Sequence, residues 1–556
     1  MIVRNFSYLF LLSIMSFLAA CNQSSKPKPI VIKQKEAVAV ISVDEEVSKL
    51  LFKKITAIHA ADTLVIKKDS LFATSFVSKI YAQHRFSALW TSNGKPSTLC
   101  DTLLTVIGGA GIDGLIPSNY HFFKIKALLT PDSITHKNTN DNLADADLLL
   151  TDAFFAFIVH LSAGRFNTDS LTLAWRPEKL GANLVSVLNQ VLKSNNIKQS
   201  LYAFEPKNIP YQQLKQALQS FLIEFKTSNW DTLTLLPSDS PVFMDQLKKR
   251  LIASHDYFNE YEGSPSAKMI KAIKNFQCQH SLTEDGKIGK QTFIALQKTK
   301  ADYIHQLEMN MERWRWQNPP KEEQYIWINI PKYELRLMVD DTLVFKSRVI
   351  VGQPDHPTPI LKSLITNFLI YPYWNVPFKI ATDELLPILK RDTSYLRRKN
   401  FDVLNAFNQV VDYTVIKWNL YNDTIFPWRL RQRMGDDNSL GILKFNFKNK
   451  YGVYLHDTDS RWLFNKEMRA LSHGCIRLEK FIYLADYLIR DDSARYPKDS
   501  LKYDLLQEKQ KYIYLRKPIT IYTNYFTAEV DEWGNLFLLN DIYGYDKKML
   551  NALNKK

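Results

Sequence analysis

The run Ser472-His473-Gly474-Cys475-Ile476-Arg477, with fifteen residues separating Ser472 from His456, is the part of this chain best suited to covalent chemistry. A cysteine attacks as its thiolate, so it needs a base within reach, and a histidine supplies one near neutral pH. The pair would suit acyl transfer through a thioester. Two other readings stay open on residue types alone. A lone cysteine with a distant histidine also describes a buried thiol and a core imidazole. Two histidines and a cysteine also suit zinc, although His473 and Cys475 stand only two apart and no second close-spaced ligand pair accompanies them.

These groups have to be positioned by the elements around them. In Tyr451-Gly452-Val453-Tyr454-Leu455-His456 the alternation puts Val453 and Leu455 on one face of a strand, Tyr454 and His456 on the other. Asp457, Thr458 and Asp459 form a turn at its exit, where the carbonyl or the carboxylate of Asp457 would orient the His456 ring. Beyond Cys475, the spacing of Leu478, Phe481, Leu484, Ala485 and Leu488 predicts an amphipathic helix starting near the cysteine. Its N-terminus would favour the thiolate and offer N–H groups to an oxyanion. Gly474 lets the backbone turn sharply there.

The chain has 556 residues, 46% of them apolar, which predicts several folded domains. Its net charge of +15 favours anionic partners. No groove-reading motif or zinc module accompanies the charge, so no nucleic-acid partner is expected. Arg4, the apolar stretch Tyr8 to Ala20 and Leu18-Ala19-Ala20-Cys21 resemble a lipoprotein signal, with Cys21 as the lipidated first mature residue. No other stretch reads as a membrane span. The chain is therefore expected to be exported and held to a cell-envelope membrane by its lipid, facing the periplasm. Cys100 and Cys278 are expected to be buried free thiols.

The expected organisation is a signal peptide over 1–20, a tether over 21–45, a helical domain over 46–238 and a small helical unit over 239–300. A helical linker over 301–321 leads to a β-rich domain over 322–545 and a tail over 546–556. An insertion in the β-rich domain at about 378–435 contains a charged helical stretch from Asp383 to about Asn408. The fold class is multidomain α+β.

The motif around Cys475, with His456, resembles the signature of the L,D-transpeptidases. Trp374-Asn375-Val376-Pro377, Gly352, Thr358-Pro359, Asp437-Asn438-Ser439-Leu440-Gly441 and Lys444-Phe445 resemble that family's flanking segments. The insertion resembles the lid of its large, YcbB-like class. Phe276-Gln277, His280, Leu282, Asp285-Gly286, Gly289, Thr292 and Leu296 resemble the small three-helix peptidoglycan-binding domain. Tyr81, Trp90, Tyr120-His121, Asp152 and Arg165 fit the scaffold domain of the large members. The resemblance implies Cys475 as nucleophile and His456 as general base and acid, with Asp457 orienting it. It places His473, Gly474 and the Cys475 N–H around the oxyanion, and Tyr454, Ser472 and Arg477 at the substrate. It implies neither cofactor nor metal. The partners implied are peptidoglycan stem peptides and glycan, with the membrane reached through the lipid. The activity implied is formation of 3→3 peptidoglycan crosslinks. The alternatives are an L,D-carboxypeptidase or endopeptidase on the same fold, and a non-catalytic wall-binding anchor.

Overall fold

The computed structural model describes residues 42–57, 63–131, 139–166, 183–224, 233–234, 240–260 and 262–554. The expected signal peptide, Cys21 and nearly all of the tether lie outside the described residues. Residues from Val43 onward form one compact unit.

The scaffold is built around one helix of 24 residues, Asn140–Ala163, buried almost all round from Leu143 to Ile158. By length and apolarity it would cross a membrane, which corrects the expectation that no segment beyond the leader reads as a span. Helices Val43–Thr56, Thr74–Gln83, Thr98–Gly108 and Phe122–Leu129 enclose it instead. Its buried acids are paired within that shell. Asp147 accepts from the Leu89 N–H at 2.8 Å, the Trp90 N–H at 2.9 Å and the Tyr81 hydroxyl at 2.6 Å. Asp152 accepts from the Ala73 N–H at 2.6 Å and meets His121 Nε2 at 2.9 Å. The aromatic and acidic residues of this region therefore build a core.

The unit over 239–300 is a three-helix cluster: Pro241–Ala253, Pro265–Gln279 and Lys290–Leu296. Ser240 and Ser264 cap the first two helices, each with proline as the next residue. Phe276 sits in the cluster core. Gln277 holds the Asp285-Gly286 turn by donating to Asp285 Oδ1 at 2.8 Å and accepting from the Gly286 N–H at 2.9 Å. The motif residues here are structural in their contacts. Cys278 is only half-buried, unlike the buried Cys100, and both are free.

The segment expected as a linker contains a central buried helix, Lys300–Trp316. Toward the scaffold, Glu312 accepts from Arg165 Nε at 2.6 Å and from the Arg165 N–H at 3.0 Å, and pairs with Arg315 at 3.3 Å. Toward the β-rich domain, Asn310 donates to Thr527 Oγ1 at 2.7 Å and accepts from its N–H at 2.8 Å. Gly164 lies against this helix at φ +81°, where a side chain would collide with Glu312 and Trp316.

The main sheet of the β-rich domain has nine strands: β1 Gln324–Asn329, β2 Glu334–Val339, β3 Thr342–Gly352, β4 Leu361–Ile370, β5 Leu443–Phe447, β6 Leu455–His456, β7 Ala470–Ser472, β8 Ile476–Leu478 and β9 Lys511–Asn524. Their order is β7-β3-β8-β6-β5-β4-β9-β1-β2, and β2 also pairs with β3, so the sheet closes on itself. Ile326, Ile328, Ile365, Phe368, Phe445, Leu455, Ile476 and Leu478 fill its core. Both faces of β1 are buried, because Tyr325 and Trp327 pack outward against Trp314 and neighbouring aromatics.

The insertion is α-helical only to Arg398, with Phe378–Ile380, Leu386–Leu389 and Ser394–Arg398 as its α-helical turns, and has short 3-10 turns at Tyr413–Val415 and Trp418–Leu420. The helical stretch expected to reach Asn408 ends earlier. Phe401–Leu404 is a strand in a separate four-stranded sheet with Val410–Val411, Arg429–Gln432 and Trp374–Asn375. This small sheet has its own core of Leu389, Leu396, Val403, Trp418 and Leu430.

Candidate active site

Strand register assembles the site. Lys444 on β5 stands opposite His456 on β6, and His456 stands beside Arg477 on the parallel strand β8. The Ile476 N–H donates to the Tyr454 carbonyl at 3.0 Å, which brings Cys475 alongside Tyr454. Register partners project to the same side of a sheet. Lys444, Tyr454, His456, Cys475 and Arg477 therefore share one face, while Phe445, Val453, Leu455, Ile476 and Leu478 face the core.

The expected helix at Cys475 is displaced. Ile476-Arg477-Leu478 is strand, with Ile476 and Leu478 buried and Arg477 between them facing the site. The helix runs over Phe481–Ile489 and buries Phe481, Leu484 and Ala485. The apolar spacing was that of a helix, but its start lies six residues past the cysteine. A helix dipole fades within a turn, so it contributes nothing to the thiol here.

His456 is buried, and its Nδ1 is hydrogen-bonded to the Asp457 backbone carbonyl. A carbonyl only accepts, so Nδ1 carries the proton and, in the neutral ring, Nε2 is the basic nitrogen; the Leu440 carbonyl also acts on the ring. The Asp457 carboxylate does not orient the ring. It accepts from Arg461 at 2.6 and 3.1 Å and from the Ile442 N–H at 3.0 Å. Gly441, at φ +59°, is packed so tightly against that carboxylate that a Cβ would overlap it.

The loop before the cysteine is held from below. Gly474 has φ +106°, which disfavours any side chain. Its carbonyl accepts from Thr358 Oγ1 at 2.9 Å, and that oxygen accepts from the Gly352 N–H at 2.8 Å. Ser472 is buried and faces inward: its hydroxyl accepts from the Gly474 N–H at 3.2 Å and donates to the Cys475 carbonyl. Ser472 thus shapes the turn and does not line the substrate side. The Gly474 N–H, expected at the oxyanion, is committed to Ser472. His473 is exposed and its Nε2 meets Glu384 of the insertion at 2.6 Å, so it ties the loop to the lid.

Tyr454 lies close enough to Cys475 for its hydroxyl and backbone to favour the thiolate, and Trp374 lies close enough to the Tyr454 hydroxyl to favour its ionised form. Tyr454, expected at the substrate, therefore lies against the expected nucleophile, Cys475. Lys444 Nζ lies 4.0 Å from the Tyr454 ring centroid. The sequence reading used Trp374 and Lys444 only as family landmarks. The alternation that placed Tyr454 beside His456 extends to Lys444 through Lys444-Phe445-Asn446-Phe447, and was the available signal.

Burial pushes the Cys475 thiol above its ordinary value, against the opposing pull of Tyr454, Lys444 and Arg477. Burial, then the charge of Arg477, drives His456 down to about 3, although the Asp457 carbonyl opposes this. A thiol held above its ordinary value and an imidazole held near 3 are both neutral at about pH 7. Iodoacetamide labelling of Cys475 is therefore expected to be slower at about pH 7 than that of an unperturbed peptide thiol, and to be still climbing above the ordinary 9.0. A labelling rate that levels off below about pH 7 would mean a preformed thiolate–imidazolium pair.

A closed β domain bearing a histidine-cysteine face, joined to a helical scaffold, defines a class that the comparisons with known proteins specify. The profile of the scaffold domain matches residues 75–218, and that of the L,D-transpeptidase catalytic domain matches residues 323–495. A putative L,D-transpeptidase of Haemophilus influenzae is 31% identical over 348 residues, covering 57% of this chain and 70% of its own. The chain belongs to the L,D-transpeptidase family, in its large class with a scaffold domain. A solved L,D-transpeptidase from Stackebrandtia nassauensis aligns at 15% identity over 53% of this chain and 96% of its own, with a TM-score of 0.21. So loose a superposition adds nothing to the family assignment.

Proposed function

We propose that this chain forms 3→3 crosslinks in peptidoglycan through a thioester on Cys475. The observation that carries this reading is the shared sheet face of Cys475, Tyr454 and His456, with His456 Nδ1 tied to a carbonyl and Nε2 left basic. His456 takes the thiol proton as sulfur attacks the carbonyl carbon of the third residue of a tetrapeptide donor. The tetrahedral intermediate collapses by breaking the bond to the terminal D-alanine, whose amine takes that proton from His456. An amine on an acceptor stem then attacks the thioester, gives its proton to His456 and leaves as the crosslinked product. The thiol is regenerated, and the cycle needs neither metal nor cofactor.

The competing fate of the same thioester is attack by water, which makes the enzyme a carboxypeptidase. The insertion favours transfer, because its Glu384 reaches the His473 loop and brings a cover over the site that limits water. Incubation with purified disaccharide-tetrapeptide is expected to give a crosslinked dimer with loss of one D-alanine. Release of D-alanine with only tripeptide product would assign hydrolysis instead. The small helical unit over 239–300 belongs to the same proposal as a wall-binding module. Its deletion is expected to lower retention on insoluble peptidoglycan, and unchanged retention would remove that role.

A further inference from the structure

Two cations sit on the sheet face of Cys475 and His456, and among the described residues no carboxylate is bonded to either. Lys444 is half-buried on β5, beside Tyr454 and opposite His456. Among the described residues it has no ion pair, and the group that would favour its charge is Cys475 once that thiol is ionised. Arg477, on β8, flanks His456 from the other side, and its Nε is buried without a hydrogen-bond partner. The nearest acid acting on Arg477 is Asp459. That carboxylate is engaged instead by the Ser460 hydroxyl at 2.9 Å and the Thr458 hydroxyl at 3.3 Å.

The contrast with the rest of the molecule is informative. Elsewhere Arg165 meets Glu312 and Arg313 meets Asp546, and the half-buried Arg469 is held by the Val349 and Lys466 carbonyls. Removing a cation from water is costly unless an anion or hydrogen bonds repay it. The two cations on either side of His456 also add to the depression of its basicity by burial. A fold that tolerates this leaves the repayment to a ligand. The missing group has to be an anion small enough to enter beside Cys475, and planar carboxylates suit an arginine fork.

We propose that Lys444 and Arg477 form a carboxylate subsite that anchors an acidic group of the donor stem peptide beside Cys475, with Lys444 as its previously unassigned member. The inference rests on the transpeptidase reading of the site. The donor offers a carboxylate from two sources: the terminal D-alanine, and the side chain of a third residue that is a diamino acid bearing one. Binding of either offsets the two positive charges and so removes the part of the His456 depression that they add to burial.

The test compares three sugar-free tetrapeptides: the acidic stem, its C-terminal carboxamide and its third-residue side-chain carboxamide. Acylation kcat/KM is measured for the wild type and for Lys444→Met, which keeps the bulk of the stem without the charge. Wild type is expected to lose about tenfold or more on one carboxamide, the value of one charge-assisted contact. Lys444→Met should lose a similar factor on the acidic stem and be indifferent to that same amidation. The carboxamide that shows this pattern names the source. Equal losses by Lys444→Met on all three stems, or a wild type indifferent to both amidations, would overturn the subsite. Calorimetric binding of the same stems to Cys475→Ala removes the chemistry from the readout. A preference for the acidic stem there, abolished by adding Lys444→Met, supports the anchor even if wild type forms no thioester. No preference there overturns the anchor while leaving the thioester reading intact.

Discussion

His456→Ala is expected to lower the rate of Cys475 acylation by about 10²- to 10⁴-fold, the range for loss of a positioned general base. The thiol of this site is held above its ordinary value by burial, so it has little thiolate of its own to fall back on. The substitution should leave the thiol in place, because Cys475 is held by Tyr454 and by the Ser472–Thr358 bracing of its loop. Rapid-quench acylation at substrate saturation reads the effect directly. The loss should appear in kcat with KM little changed, as expected for a group acting on the transferred proton. A rate within threefold of wild type, or about half a logarithmic unit, would mean that another group takes the proton.

The largest expected effect on stability lies far from that face. Glu312→Ala leaves Arg165 and Arg315 buried beside a cavity where a carboxylate stood. Removing one partner of a buried pair typically costs about 3–5 kcal/mol, because the remaining charge stays out of water. Glu312 is fully buried and held below its ordinary pKa by Arg165 and Arg315 despite its burial, consistent with a carboxylate that stays charged in the fold. Denaturant unfolding should show the midpoint falling, and the helix Lys300–Trp316 losing its grip on Asn140–Ala163. A midpoint unchanged within about 0.5 kcal/mol would show that this cluster does not hold the scaffold to the central helix.

The catalytic face was readable because its information is local. A two-residue period in Val453-Tyr454-Leu455-His456 sorts inward from outward side chains without knowledge of the partner strand. The turn at Gly474 is equally local, since its left-handed backbone selects glycine. What failed was less local. Phe481, Leu484 and Ala485 are spaced as a helix and form one, but Ile476-Arg477-Leu478 obeys the two-residue period of a strand paired on both sides. Where one period gives way to the other is decided by β3 and β6, which lie elsewhere in the sequence.

The helix Lys300–Trp316 shows the same limit more strongly. The segment was expected only as a helical linker, yet its Glu308, Glu312, Arg313 and Arg315 are all buried. Their partners, among them Asp113, Arg165, Tyr211 and Asp546, lie 100 or more residues away or beyond the β domain. The small sheet of the insertion was hidden for another reason, since its strands span two to four residues and carry almost no period. The roles of Asp457 and Ser472 turned on which atom of a correctly located residue does the bonding. Sequence gives the residue, and the atom follows only from the fold.

The central claim is that Cys475 carries the acyl group. Intact-protein mass after brief incubation with a tetrapeptide donor, quenched in acid, tests it most directly. The account predicts that wild type gains the mass of the donor less one D-alanine, that peptide mapping puts the gain on the fragment containing Cys475, and that Cys475→Ala gains nothing. A wild type with no added mass under conditions where D-alanine is released, or an undiminished adduct on Cys475→Ala, would contradict it.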